Sequence, residues 1–206
     1  WHWTVVLLLI MAPPLQLRTL HGIASLSLLS TASIVLVLLL LVPALLASQP
    51  RTFATQASLP PGQTFLQSSS SLGSFVFAYQ GQSIFLEIMR EMKNPSDFPK
   101  VVFAANGLMM FSYASICAVG YGAHGDQITS FLPDALPEGA VRSIVGLLLA
   151  YHTLVSYLLT GQPLHRAVHK MIWPHTCDEF SSREAAMHWA AVTLSFLVFA
   201  FFVANG

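Results

Sequence analysis

An all-α fold, a polytopic transmembrane helix bundle, is predicted by three features of the sequence. The 206 residues are 54% hydrophobic and only 9% charged, against about 25% charged in ordinary soluble domains. Four apolar runs, Leu26 to Ala47, Val101 to Ala123, Ala140 to Thr160 and Ala186 to Ala204, match the span of about 20 helical residues that crosses a hydrocarbon core of about 30 Å. Between the runs lie short polar stretches punctuated by Pro and Gly, which leave little room for a soluble domain. A span in lipid must satisfy its own backbone, and a helix does so within one segment.

The elements follow in order. Trp1 to Leu17 reads as a further span that has lost its beginning, with Trp1 as an interfacial anchor. Trp1-His2-Trp3 lacks an initiator Met and a basic n-region, so the expectation is a chain cut inside or just before a helix, not a cleavable signal peptide. In APPLQLRTLHG two prolines end this helix. After the run Leu26 to Ala47, Ser48 to Ser71 reads as a polar linker that turns at Pro60-Pro61-Gly62. Leu72 to Met92 is a span interrupted by Gln80, Gly81, Gln82 and Glu87. EMKNPSDFPK then breaks one helix at Asn94-Pro95 and places Pro99 where the next begins. GYGAHGDQ frays the far end of Val101 to Ala123. Past Ala140 to Thr160, HRAVHKMIWPHTCDEFSSRE reads as a long basic loop, and Ser182 with Glu184 nearby suits the cap of the last span.

Net charge is zero, which excludes an electrostatic footprint for nucleic acid. Threaded alternately, six spans put seven of the nine Lys and Arg residues on one side: Arg18, Arg90, Lys93, Lys100, Arg166, Lys170 and Arg183. Arg51 and Arg142 fall on the other. The positive-inside rule makes the first side cytoplasmic. Cys117 lies within a span and Cys177 in a cytoplasmic loop, so a disulfide between them is not expected.

Polar groups inside lipid are costly and mark substrate or ion pathways by default. Gly81 costs about 1 kcal/mol against Ala in a helix interior, and Gln80 and Gln82 can supply substitute hydrogen bonds, so the helix can open here. Freed N–H and C=O groups at two half-helix ends would then suit the carboxylate and ammonium of a zwitterion. The competing reading has Gly81 serve close helix packing. Glu87 is either a proton relay or, one turn from Arg90, a structural ion pair near the interface. His152, Thr153, Ser156, Tyr157 and Thr160 recur at helical spacing. They either line an ion path or bond back to the carbonyls of the preceding turn. His165, His169, His175 and Cys177 lack compact zinc-ligand spacing and read as part of a solvated basic loop, so no metal is expected. No catalytic elbow, HExxH or phosphate loop is present, and no enzymatic activity is expected.

FAYQGQSIFLEIMREMKNPSDFPK, Phe77 to Lys100, resembles the sixth-helix signature and following inner loop of the amino acid/auxin permease family. PPLQLRTLHGIASLSLLS resembles that family's fourth-to-fifth helix connection, GYGAHGDQI the end of its seventh helix, and YHTLVSYLLTGQPLHRAV its eighth helix. The resemblance runs over nearly the whole chain. It implies one incomplete transmembrane transporter domain, residues 1–206, whose spans at about 1–17, 26–47, 72–92, 101–123, 140–160 and 186–204 are the fourth to ninth of eleven. The implied fold is a five-plus-five inverted repeat with broken first and sixth helices.

Carried over residue by residue, the resemblance implies substrate binding at Phe77, Ala78, Tyr79, Gln80, Gly81 and Gln82, with Phe77 or Tyr79 as an aromatic lid. Thr153 and Ser156 correspond to a coupling-ion position. The expected activity is secondary active transport of neutral amino acids by alternating access, coupled to H⁺ or Na⁺, with no other cofactor. The setting is the lipid bilayer of a plasma, vacuolar or lysosomal membrane. The first helix of the family, which supplies the other half of both sites, has no counterpart here, so the expected partners include missing N-terminal helices of the same protein and the fragment alone is expected to be inactive. A non-transporting amino-acid sensor and a structural membrane bundle are the alternatives.

Overall fold

The computed structural model describes residues 2–18, 20–47, 64–125, 128–179 and 181–205. Every regular element among them is helical: α1 (His2–Met11), α2 (Leu20–Ala47), α3 (Phe65–Ala78), α4 (Gln82–Glu91), α5 (Phe98–His124), α6 (Ala140–Ile172) and α7 (Arg183–Asn205), with short 3-10 turns at Pro14–Gln16, Pro95–Asp97 and Leu132–Ala135. Among the described residues four segments are long and apolar enough to cross a membrane: Ile23–Ala47, Pro95–His124, Ala140–Ile172 and Arg183–Asn205. The chain is therefore an integral, multi-pass membrane protein with an all-α polytopic bundle. At 14 and 10 residues, α3 and α4 are each too short to span alone. The expected positions of Trp1, Arg51 and the turn at Pro60 to Gly62 lie outside the described residues.

Two of the boundaries that differ from the sequence reading change what it assigned to loops. α3 starts at Phe65, so the last residues assigned to the linker are helical. Two of its serine hydroxyls turn inward on the helix itself, Ser69 Oγ donating to Phe65 O at 2.9 Å and Ser74 Oγ to Ser70 O at 3.3 Å, which removes their cost in an apolar setting. α6 runs on through His165 and His169 to Ile172, with Pro163 inside it. A proline frees one carbonyl of the preceding turn, and a long helix with packed neighbours tolerates that loss. Much of the expected basic loop is consequently the last part of a helix.

The chain divides into two compact units. In the first, residues 1–30 and 153–206, Met11, Leu15, Ile23, Leu158 and Leu197 form the buried cluster. Its organising feature is the turn at Pro13 and Pro14, whose prolines donate no backbone hydrogen bond and whose Leu15 and Leu17 carbonyls bond to side chains from outside it. Trp189 Nε1 donates to Leu15 O at 2.9 Å, and the Gln162 amide donates to Leu17 O. Gln16 Nε2 reaches Thr193 Oγ1 at 3.3 Å, and Arg18 Nη1 reaches Glu179 O at 3.1 Å. Ser182 caps α7, its Oγ accepting the Ala185 N–H at 3.1 Å.

In the second unit, residues 31–152, Val37, Leu41, Leu45, Leu136 and Val145 pack together. Arg142 and Asp134 pair at 2.6 Å beside the start of α6. Pro95 opens a 3-10 turn and Pro99 sits in the first turn of α5, where a missing N–H costs nothing. The far end of α5 is closed by Gly125 at φ 56, a left-handed conformation that glycine adopts without penalty.

Candidate functional site

The helix that carries Gln80, Gly81 and Gln82 is broken there. α3 ends at Ala78, and its last carbonyls are taken up by a tightening turn: Tyr79 N–H donates to Phe75 O at 3.3 Å and Gln80 N–H to Phe77 O at 3.1 Å. Gly81, at φ −137 and ψ −8, stands at the N-cap of α4, which has no side-chain cap. The Gln82 amide bridges the gap in both directions. Its Oε1 accepts the Gly81 N–H at 3.2 Å and its Nε2 donates to Tyr79 O at 3.4 Å. From α5, Tyr113 Oη donates to Ala78 O at 3.4 Å, and its ring meets that of Tyr79 edge-on at 5.6 Å.

Beside the break lies a cavity of about 170 Å³. Ala78, Tyr79, Gln80 and Gly81 line it from the joint; Phe85, Phe98 and Met109 supply apolar walls, and Asn106 a polar one. Phe85 and Phe98 meet edge-on at 5.5 Å. Asn106 Nδ2 donates to Val102 O at 2.9 Å. No charged side chain borders this cavity among the described residues.

The six residues expected to bind substrate therefore occupy one joint in different ways. Of the two aromatics expected as a lid, Tyr79 lines the cavity, whereas Phe77 is 75% exposed and not part of the lining. Gln82 is exposed and its amide is engaged across the break. Asn106 and Tyr113 were not singled out from the sequence. They are seven residues apart, on one face of α5, and the signal was available as two polar groups at that spacing in an apolar run.

The expected ion-coupling pair belongs to the first unit. Thr153 borders a cavity of about 230 Å³ with Thr4, Leu7, Tyr157 and Phe201, and Thr4 Oγ1 donates to Asn205 Oδ1 at 3.1 Å. Ser156 is half-buried, and its carbonyl accepts the Thr160 hydroxyl at 2.8 Å. Thr160 thus bonds back along its own helix. Glu87 pairs with Arg90 at 3.3 Å.

The histidines correct the reading of a solvated loop. His165 and His169 are 2% and 1% exposed, packed among aromatic rings of α7 and the turn after α6. His165 meets Trp189 and Phe196 at 6.2 and 5.2 Å, and His169 meets Trp173 and Trp189 at 6.2 and 5.9 Å. Gly161 permits the inward fold of the His165 ring, since a Cβ there would stand 3.0 Å from His165 Cε1. Among the described residues no group of three His, Cys, Asp or Glu side chains could hold a metal ion.

The family described as transmembrane amino acid transporter protein matches residues 1–206. The chain belongs to that family. Amino acid transporter AVT3A of Arabidopsis thaliana is 29% identical over 128 residues, 62% of this chain and 28% of that protein. Amino acid transporter AVT1C of the same plant is 23% identical over 129 residues, 62% of this chain and 22% of its own length. Vacuolar amino acid transporter 4 of Saccharomyces cerevisiae is 25% identical over 97 residues, 47% of this chain and 13% of that protein. The chain thus covers less than a third of each of these relatives. No solved structure matches.

Proposed function

We propose that the full-length protein moves amino acids across a membrane by alternating access, with the substrate held at the joint between α3 and α4. The observation that carries this reading is the Gln82 amide. One side chain meets a backbone N–H at the start of α4 and a carbonyl at the end of α3, at 3.2 and 3.4 Å. An α-amino acid offers the same pair of functions in stronger form, a carboxylate for the N–H groups at a helix start and an ammonium for the carbonyls at a helix end. Substrate would displace the Gln82 amide and extend its side chain into the cavity beside Phe85, Asn106 and Met109. The uncharged lining favours neutral amino acids, because a charged side chain left unpaired there is costly.

Transport in this reading is coupled to H⁺ or Na⁺, with Thr153 and Ser156 as the ion-coupling residues, in a five-plus-five inverted-repeat fold, and involves no enzymatic reaction and no other cofactor. The printed name of the yeast relative supports a vacuolar membrane as the location. Uptake of labelled neutral amino acids by vesicles containing the full-length protein tests the proposal. Saturable accumulation driven by an imposed H⁺ or Na⁺ gradient is expected. Binding without accumulation would overturn transport in favour of a sensor.

A further inference from the structure

α5 lines the cavity beside the joint with Phe98, Val101, Val102, Ala105, Asn106 and Met109. Asn106 is the one polar side chain that this helix contributes there among the described residues. Its height along α5 is fixed by contacts on either side. Phe98 meets Phe85 of α4 edge-on at 5.5 Å, and Tyr113 Oη donates to Ala78 O of α3 at 3.4 Å. Asn106 lies eight residues after Phe98 and seven before Tyr113, while Gly81 and Gln82 fall midway between Phe85 and Ala78. The asparagine therefore stands level with the joint.

The orientation of its amide is determined as well. Nδ2 donates to Val102 O at 2.9 Å. A backbone carbonyl only accepts, so the nitrogen is held on that side and Oδ1 is turned away from it. Oδ1 has no hydrogen-bond partner among the described residues, and no buried side-chain polar atom among them lacks one, so this oxygen is open to the cavity that Asn106 lines. The walls of Phe85, Phe98 and Met109 offer it no donor. An acceptor so placed discriminates between ligands. A ligand O–H or N–H beside it makes good the hydration that Oδ1 gives up, whereas an alkyl group of the same shape leaves the oxygen unpaired.

We propose that Asn106 is a specificity-determining residue of the joint, its Oδ1 accepting a hydrogen bond from a hydroxyl on the β-carbon of the substrate. The site then takes serine and threonine in preference to their alkyl counterparts. The assignment rests on substrate binding between α3 and α4, where the carbonyls at the end of α3 hold the ammonium and the N–H groups at the start of α4 hold the carboxylate. In that pose the side chain is the part that meets the cavity, and an acceptor level with the joint meets its first atoms beyond the α-carbon. The apolar walls receive the threonine methyl.

Threonine and valine share a shape and differ by one hydroxyl against one methyl, so the pair isolates this contact. The test is equilibrium binding of each, labelled, to the full-length protein and to its Asn106→Leu variant. Leucine is close to asparagine in size and suits an apolar helix, and Val102 O keeps its backbone bond within α5. The ratio of the two affinities is in any case independent of the amount of folded protein. Wild type is expected to bind threonine about tenfold more tightly than valine. Asn106→Leu should weaken threonine binding about tenfold and leave valine binding unchanged or tighter, since no oxygen remains to be left unpaired. A wild-type ratio near one, an unchanged ratio in the variant, or equal weakening of both ligands, which would put the contact on groups common to all amino acids, would overturn the assignment and leave the joint standing. Failure of wild type to bind either ligand would overturn both.

Discussion

Gly81 separates a binding joint from a packing contact. Its φ of −137 is open to an L residue, so a side chain here is judged by space alone. A Cβ would stand 3.2 Å from Phe85 Cε1 and 3.7 Å from Cζ. The Phe85 ring is the tip of a side chain and can withdraw a few tenths of an ångström. Gly81→Ala is therefore expected to weaken substrate binding by less than about fivefold, under about 1 kcal/mol. Gly81→Leu adds three further carbons between the joint and Phe85, which Phe98 backs at 5.5 Å, in a cavity of about 170 Å³. Overpacking on that scale costs about 1–3 kcal/mol, or about 5- to 150-fold in affinity. The assay is equilibrium binding and vesicle uptake of a labelled neutral amino acid by the full-length protein, normalised to the amount of folded protein. Gly81→Leu at normal expression with binding and uptake within about twofold of wild type would refute the reasoning. A glycine that serves packing alone predicts the opposite pattern, less folded protein but unchanged binding per folded molecule.

Three further outcomes are expected. Trp189→Phe keeps an aromatic ring at a 2% exposed position but orphans Leu15 O; the loss should be about 1–3 kcal/mol, read as a lower thermal midpoint of the purified protein. Ser182→Ala removes the cap on Ala185 N–H and should cost about 1 kcal/mol, with hydrogen exchange rising in the first turn of α7 and not at its far end. Glu87→Gln dissolves the pair with Arg90, whose side chain is 61% exposed, and should change stability by less than about 1 kcal/mol. Gradient-driven uptake should also survive that change, since abolition would restore Glu87 as a proton relay.

The helical, membrane-spanning character of the chain was legible from composition and run length, because both follow from the solvent. A backbone in lipid has no water to bond, so a long apolar run has little choice but to become a helix. The weak point at Gln80 to Gln82 was legible for a related reason: glycine between two amides is a local conflict with the run around it. Prolines were less reliable guides. Pro95 and Pro99 mark a connection as expected, whereas Pro163 sits inside a continuous α6, since a carbonyl freed by proline is harmless or ruinous according to its neighbours.

Residue chemistry and spacing by themselves determined that this protein is an all-helical membrane bundle and where one of its helices is apt to open. Only the tertiary structure decided what each side chain does there. Phe77 and Tyr79 are equivalent as text, yet Tyr79 meets Tyr113 while Phe77 faces outward at 75% exposure. His165 and His169 read as solvated beside Arg166 and Lys170, yet Trp173, Trp189 and Phe196 bury them. The reason is the range of the interactions. Hydropathy and helix breaking act within a turn or two of the chain, but burial and hydrogen-bond partnership depend on residues brought together from distant positions, which periodicity along one segment does not encode.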